Sequence, residues 1–153
     1  MGYLPQDFGY YPDFSIYDYL MYIATLKGVR PAVAKERVKE LLKQVGLVKA
    51  RNKKMKTLSG GMKRRAGIAQ AMLNDPKILI LDEPTVGLDP TQIIEIRHLI
   101  KGLGKEHTII LSSHILPEVA DVCERVIIID HGHIVAQDSL AALQQGLGET
   151  AKL

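Results

Sequence analysis

The sequence predicts an α/β protein with a mostly parallel sheet and a separate helical lobe. Its 153 residues fit one domain and can bury a substantial core. After Lys77, short apolar segments alternate with helix-like ones, which is typical of parallel strands covered by helices. From Ile16 to Asn74 the pattern is helical, which predicts the lobe. All six tyrosines and both phenylalanines lie between Tyr3 and Tyr22, so the first segment has a different role from the rest.

Composition excludes several classes of protein. Apolar residues make up 46% and charged residues 24% of the chain, as in ordinary soluble domains. The net charge of +3 is too small to indicate a nucleic-acid-binding protein by itself. The single cysteine, Cys123, excludes an internal disulfide and fits a reducing compartment. The longest apolar runs, such as Ile78 to Leu81, are far shorter than the roughly 20 residues that span a bilayer, so no transmembrane or signal segment is predicted.

The first half of the chain predicts one strand and three helices. A short strand is expected at Gly2 to Leu4, and a helix capped by Ser15 at Ile16 to Leu26. Pro31 suits the first turn of a second helix, which ends near Gly46. Its apolar stripe comprises Ala34, Val38, Leu41, Leu42 and Val45.

A basic connection from Lys49 to Lys56 leads to the third helix. No aromatic residue interleaves these cations, so a solvated linker is favoured over a nucleic-acid patch. Ser59 opens a helix that we expect to run to about Asn74, and Pro76 forbids its continuation. Lys63, Arg64 and Arg65 are expected to be exposed on its first turns.

The second half predicts strands and helices in alternation. Ile78 to Leu81 is apolar at consecutive positions, which predicts a strand covered on both faces. Asp89 and Pro90 form an N-cap and first-turn pair for a helix that reaches about Leu103. The elements expected after it are a strand at Thr108 to Leu111, a helix begun by Pro117, a buried strand at Val126 to Ile129, an antiparallel strand at Ile134 to Ala136 and a closing helix at Ser139 to Gln145.

Polar residues follow three of the predicted strands, where open α/β sheets place their ligands. Gln6 follows the first strand, Asp82 and Glu83 follow the second, and His114 follows the third. Asp82 can hold a magnesium ion, and Glu83 can orient or deprotonate an attacking water. The alternative, a merely polar strand exit, is disfavoured by the preceding Ile-Leu-Ile-Leu run.

The Ser59-Gly60-Gly61 turn is a candidate anion site. It presents backbone N–H groups at a helix N-terminus, and its glycines let an anion approach closely. An N-cap followed by a flexible turn explains the same three residues equally well, so the turn alone leaves both interpretations open.

The order and spacing of these motifs resemble ATP-binding cassette (ABC) ATPases. The segments Leu58 to Met62, Ile78 to Glu83 and Gly87 to Asp89, followed by His114, are similar to the signature motif, Walker B strand, D-loop and switch histidine of that family. Tyr3-Leu4-Pro5-Gln6 is similar to its Q-loop. The resemblance implies a P-loop NTPase (RecA-like) fold with a small α-helical subdomain at about 12–75, an α/β core at about 76–138 and a C-terminal helix and tail at 139–153.

The resemblance also implies roles for single residues, with ATP and Mg²⁺ as ligands. Glu83 would be the catalytic base, His114 a contact to the γ-phosphate and Asp82 the magnesium ligand. Gln6 would sense both the metal and the nucleophilic water. The remaining positions face a second subunit: Asp89 at the dimer interface, and Ser59, Gly60 and Gly61 at the ATP bound by that subunit.

The sequence departs from the family pattern in two places. Met62 stands where glutamine is usual, and Met cannot make its hydrogen bonds. No G-x-x-x-x-G-K-S/T phosphate loop is present, since the only Gly-Lys pair, Gly104-Lys105, is followed by Glu106. The chain therefore resembles the C-terminal portion of a cassette, incomplete at its N-terminal side. We expect it to be inactive alone and, because apolar faces and strand edges would be uncovered, to self-associate in light scattering.

The resemblance implies the ATPase subunit of an ABC transporter, coupling ATP-driven dimerisation to transport. Its partners would be a second ABC subunit and a transmembrane permease, the latter contacted through Phe8 to Tyr22, where aromatics concentrate. It would be cytoplasmic and peripheral on the membrane. Two alternatives are a soluble, translation-associated ABC ATPase and a degenerate, non-enzymatic cassette used for dimerisation. Glu83 and His114 argue against the degenerate cassette, because a scaffold has no chemical need for them.

Overall fold

The computed structural model of the chain describes residues 1–143, which fall into two compact units. The first is Met1–Ser112, and the second begins at Ser113. The division at about residues 12, 75 and 138 that the sequence suggests stays a prediction. Among residues 1–143, no helix is long and apolar enough to cross a membrane.

A three-stranded parallel sheet forms the centre of the first unit. Its strands are β1 (Gly2–Leu4), β2 (Ile78–Asp82) and β3 (Thr108–Ser112), in that spatial order. Leu4 pairs with Leu81, and Asp82 pairs with Ser112. The predicted parallel α/β arrangement is thus confirmed, and the carboxyl ends of all three strands lie at one edge of the sheet.

Four helices complete the first unit, at the places where the sequence predicts them. Ser15 caps the first helix by accepting a 3.0 Å hydrogen bond from the Asp18 N–H. The first three helices contact one another, and a 3₁₀ turn at Met55–Thr57 lies between the second and the third. That they form a separate lobe stays a prediction. The helices are α1 (Ile16–Leu26), α2 (Pro31–Gln44), α3 (Gly60–Ala71) and α4 (Pro90–Leu103).

Helix α3 packs closely against β1 because glycines stand at both contact points. A Cβ on Gly67 would come within 2.7 Å of Leu4 Cδ1 and 2.9 Å of Phe8 Cε1. A Cβ on Gly2 would collide with the Ala71 carbonyl oxygen. Only residues without a Cβ allow this approach, so the helix that the Ser59 turn opens lies directly on the first strand.

The two faces of the sheet differ in exposure. Leu4, Leu79 and Leu81 point to one face and are fully buried. On the other face, Ile78 is 41% and Ile110 54% exposed. The prediction that β2 is covered on both faces is therefore wrong, because the described residues cover only one face with helices.

The second unit contains a short helix and a β-hairpin. Helix α5 (Leu116–Val122) precedes β4 (Arg125–Asp130) and β5 (His133–Ser139), which pair in antiparallel fashion as predicted. The prediction that Val126 to Ile129 is a buried strand is wrong. Val126 is buried, but Ile129 is 66% exposed, because no described residue covers its side chain.

The chain continues past the hairpin as a helical segment. Residues 140–143 are helical, and the Ser139 Oγ accepts a hydrogen bond from the Ala142 N–H. Ser139 itself belongs to β5 rather than to the predicted closing helix. The remainder of that helix, with the predicted tail, lies outside the described residues.

Candidate functional site

Asp82 and Glu83 lie at the carboxyl end of β2 and are bridged by a serine of the next strand. Ser112 Oγ donates a 2.5 Å hydrogen bond to Asp82 Oδ1 and accepts a 3.0 Å hydrogen bond from the Glu83 N–H. One hydroxyl thus fixes both the Asp82 carboxylate and the backbone of Glu83. Sequence reasoning assigned Ser112 no role, although its register position opposite Asp82 follows from aligning the two strands.

Glu83 has an unusual backbone conformation. Its φ is +46°, in the left-handed region that few residues other than glycine adopt. The strand ends here, and the turn redirects the chain after the Asp82 carboxylate. A non-glycine residue in this region costs free energy, and such residues concentrate at functional sites.

Gln6 reaches the same edge of the sheet from β1. Leu4 of β1 pairs with Leu81 of β2. Gln6 lies two residues after Leu4, and Glu83 lies two residues after Leu81, so both follow the strands at the same level. Gln6 is exposed, and its backbone carbonyl accepts a 3.0 Å hydrogen bond from Arg64 Nη1. The structure therefore brings Gln6, Asp82 and Glu83 to one edge, as the sequence predicts.

The Ser59 turn forms the N-terminus of α3. Ser59 Oγ accepts a 3.2 Å hydrogen bond from the Met62 N–H, so the capping role is present. A Cβ on Gly61 would come within 3.0 Å of Gln92 Cγ, and one on Gly60 within 3.2 Å of Leu88 Cδ2. Each glycine thus lies in close contact with a neighbouring side chain, a packing role that the sequence did not reveal.

Asp89 lies at the N-terminus of α4, between Leu88 and Gln92, which both contact this turn. Its Oδ1 accepts a 2.9 Å hydrogen bond from the Gln92 N–H, as the predicted N-cap should. The Gln92 side chain in turn covers Gly61, and an ion pair between Arg65 and Glu95 joins α3 to α4. The structure therefore brings the Ser59 turn and Asp89 together as one assembly.

His114 belongs to the second compact unit, where it is exposed. The neighbouring Ser113 Oγ accepts a 3.1 Å hydrogen bond from the Ile115 N–H, which shapes the turn ahead of α5. That His114 joins Gln6, Asp82 and Glu83 stays a prediction from the sequence.

Arg64 is a residue that sequence reasoning misplaced. It is only 7% exposed, whereas an exposed position on the first turns of α3 was expected. Arg64 lies four residues before the buried Ile68, on the same face of the helix. This spacing indicates burial, but the charge of Arg64 led to the prediction of an exposed position. Burial lowers the pKa of Arg64, while the nearby negative charges of Asp7 and Asp82 act to raise it. The structure thus places a buried cation near the Asp82 carboxylate.

The residues at this edge fit part of a magnesium and nucleotide site. Among residues 1–143, no three His, Cys, Asp or Glu side chains form a group that could hold a metal ion. Magnesium is commonly held by one or two carboxylates together with substrate phosphates and waters. Asp82 fits as one such carboxylate, and the rest of the coordination shell would have to come from phosphate and water.

The family model described as "ABC transporter" matches residues 1–86. The chain is 38% identical over 149 residues to the linearmycin resistance ATP-binding protein LnrL of Bacillus subtilis (strain 168), covering 97% of this chain and 48% of the relative. It is 38% identical over 139 residues to the bacitracin transport ATP-binding protein BcrA of Enterococcus faecalis, covering 90% and 44%. The chain thus spans about half the length of the curated relatives it matches.

A solved structure supports the same assignment. CbiO1 from Clostridium perfringens, part of the ABC transporter complex CbiONQ, is 30% identical and superimposes with a TM-score of 0.86. The likeness covers 99% of this chain and 61% of CbiO1. The sheet edge with its carboxylates, the capped glycine turn and these matches together lead to one conclusion: the chain belongs to the ABC transporter family and contains part of its ATP-binding domain.

Proposed function

We propose that this chain is the motif-bearing part of an ABC transporter ATPase subunit, which binds ATP with Mg²⁺ and couples its hydrolysis to transport by a membrane permease. The observation that carries the proposal is the convergence of Gln6, Asp82 and Glu83 at one edge of the sheet, with Ser112 fixing the two carboxylate residues. LnrL and BcrA, each described as an ATP-binding protein, support the same function.

Within this proposal, each residue at the sheet edge has a separate role in ATP hydrolysis. Asp82, oriented by Ser112, would contribute a carboxylate to a bound magnesium ion, and that ion would offset negative charge on the ATP phosphates. Glu83 accepts the proton of the water that attacks the γ-phosphate. By resemblance to the family, Gln6 would sense both the metal and that water, and His114 would contact the γ-phosphate.

The Ser59 turn serves a different nucleotide, the one bound by a second ABC subunit. Ser59, Gly60 and Gly61 offer N–H groups at the start of α3, and Asp89 lies at the dimer interface. A helix N-terminus contributes about 0.3–1 kcal/mol towards an anion, and up to about 2 kcal/mol in a favourable geometry. Micromolar binding requires about 8 kcal/mol, so this turn cannot hold ATP without the phosphate loop of its partner.

The 153-residue chain alone is therefore proposed to have negligible ATPase activity. The test measures phosphate release with and without magnesium from the isolated chain, and from the assembled transporter whose subunit carries it. We expect no turnover from the isolated chain. In the assembled transporter, Glu83→Gln should lower turnover at least about 100-fold, within the range for a general base.

Glu36→Gln, a substitution of an exposed residue of α2, is the matched control and should leave turnover unchanged. Magnesium-dependent turnover by the isolated chain that Glu83→Gln abolished would contradict the proposed inactivity. Full activity of Glu83→Gln in the transporter would contradict the proposed base.

The aromatic segment from Phe8 to Tyr22 is proposed as the permease contact. Tyr11 stacks on Phe14 with ring centroids 5.0 Å apart, and Tyr22 meets both rings edge-on. Tyr11 is 46% and Tyr22 38% exposed, whereas Tyr19 in the same segment is buried in the core. Exposed aromatics that already pack together lose little conformational entropy on binding, which suits an interface core. The chain itself would then sit at the cytoplasmic face of the membrane.

This contact can be tested by co-purification of the permease with the ATPase subunit. Tyr11→Ser should reduce the amount of permease recovered several-fold, because it removes the ring on which Phe14 stacks. Val33→Ser, which removes a 51% exposed apolar side chain of α2 outside the segment, is the control. Equal recovery with both variants would exclude this surface as the contact.

A further inference from the structure

Arg64 is the one buried cation of the first unit whose position the proposed chemistry does not explain. Its Nη1 donates hydrogen bonds to two successive backbone carbonyls, at 3.3 Å to Pro5 and 3.0 Å to Gln6. A buried guanidinium requires hydrogen-bond partners, and carbonyl oxygens supply them without neutralising its charge. Arg64 therefore bonds directly to the backbone of the residue at the sheet edge.

The contact is part of a continuous seam between α3 and the first strand. Three residues of α3, spaced three apart, meet successive parts of the chain around β1. Gln70 Nε2 donates a 3.3 Å hydrogen bond to the Tyr3 carbonyl, Gly67 admits the side chains of Leu4 and Phe8, and Arg64 bonds to Pro5 and Gln6. Residues three apart lie on one side of a helix, so a single face of α3 contacts both β1 and the loop that follows it.

The loop after β1 depends on this seam for its position. Residues 5–9 form neither helix nor strand, so no ladder of hydrogen bonds fixes their carbonyl groups. At the far end of the loop, the Gly9 carbonyl accepts a 3.4 Å hydrogen bond from the Tyr19 hydroxyl. Arg64 supplies that constraint to the two carbonyls nearest the sheet. The loop is thus attached to the helix that begins, five residues earlier, at the Ser59 turn.

We propose that Arg64 is a positioning residue, which fixes Gln6 relative to the Ser59 turn by bonding to the Pro5 and Gln6 carbonyls. This inference rests on the proposed function. In that function Gln6 serves the nucleotide of its own subunit, and the Ser59 turn serves the nucleotide of the partner. Arg64 links the two half-sites through a single helix, so its loss should lower the catalytic rate more than it weakens ATP binding.

The first test measures the loop itself and needs no nucleotide. Cys123 is the only cysteine of the chain, so a Cys123→Ser background allows one nitroxide label at Gly9→Cys, where a Cβ meets no atom within 4 Å. Arg64→Met should shorten the rotational correlation time of the label at least about twofold. Arg51→Met, the same substitution at an exposed arginine, should leave the spectrum unchanged.

A second label controls for general unfolding. A nitroxide at Glu36→Cys, exposed on α2, should keep its spectrum in Arg64→Met. If the rotational correlation time falls at both labels in Arg64→Met, then Arg64→Lys distinguishes a mobile loop from general unfolding. It retains the charge but loses the fork of the guanidinium, and should loosen the Gly9 label alone. An unchanged Gly9 spectrum in Arg64→Lys would then overturn the proposal, as would an unchanged spectrum in a folded Arg64→Met.

The second test measures turnover in the assembled transporter that carries the chain. Arg64→Lys should lower kcat about tenfold while KM for ATP changes less than about twofold. A loosened loop with unchanged kcat would overturn the positioning role. If the unsubstituted transporter failed to hydrolyse ATP, the proposed function would fail, while the label experiment would still decide whether Arg64 holds the loop.

Discussion

The two faces of the three-stranded sheet offer an internal comparison. On the covered face, Leu4, Leu79 and Leu81 are fully buried. On the opposite face, the aromatic Tyr3 and the aliphatic Ile78 and Ile110 are between 41% and 54% exposed. The residue types on the exposed face thus suit a buried environment that residues 1–143 do not provide. The exposed face also supports the prediction that the isolated chain self-associates.

The largest expected effect contrasts one residue from each face. Leu81→Ala should lower the free energy of unfolding by about 2–5 kcal/mol, because it leaves a cavity under the helices. Ile110→Ala, on the 54% exposed side chain, should cost about 1 kcal/mol or less. Urea denaturation followed by circular dichroism measures both. Equal losses would show that the exposed face is covered in solution.

A buried tyrosine of α1 gives a pH-dependent test of the covered region. Burial raises the pKa of Tyr19 from 10.0 to about 12. The unfolded chain releases this proton first, so the stabilising contribution is complete below pH 10 and falls as the pH rises towards 12. The loss should reach about 2–3 kcal/mol.

Tyr19→Phe removes this titration without removing the ring. The difference in unfolding free energy between the original chain and this variant should be constant up to about pH 9 and should shift by about 2–3 kcal/mol at the alkaline end. Urea titrations at each pH measure it. A difference that stayed constant throughout would show that Tyr19 is more accessible to solvent than its 1% exposure indicates.

The smallest expected effect probes how closely α3 lies on the covered face. Gly67→Ala should cost about 1–3 kcal/mol, because its Cβ would come within 2.7 Å of Leu4 Cδ1. Gly102→Ala in α4 is the matched control, since a Cβ there meets nothing within 4 Å. It should gain up to about 1 kcal/mol from helix propensity. Stabilisation by both substitutions would mean that α3 moves away from β1 readily.

Local signals predicted the helices and strands well. Ser15 and Asp89 are N-caps in the structure because a side chain that accepts a backbone N–H acts within one turn. The parallel pairing of β1, β2 and β3 also followed from alternation of strands and helices. Burial was harder to predict. Ile129 is exposed despite its apolar run, because burial depends on what a distant part of a protein places over a strand.

The candidate site shows the same division between local and distant information. Asp82, Glu83 and Gln6 were found because strand ends of a parallel sheet meet at one edge. Ser112 and Arg64 were missed as participants because their partners lie 30 and 58 residues away in sequence. Gln92 was missed for a different reason. Its side chain covers Gly61 only because α3 and α4 cross at that point.

The left-handed backbone of Glu83 separates the stability of this site from its chemistry. The conformation costs on the order of 1–3 kcal/mol for a residue such as Glu or Gln. Glu83→Gln keeps both that cost and the shape of the turn, so it removes the proton acceptor from an otherwise unaltered fold. Glu83→Gly would relax the turn as well, and would exchange the chemistry for a more stable protein. At this position, selection for activity thus favours glutamate, whereas selection for stability favours glycine.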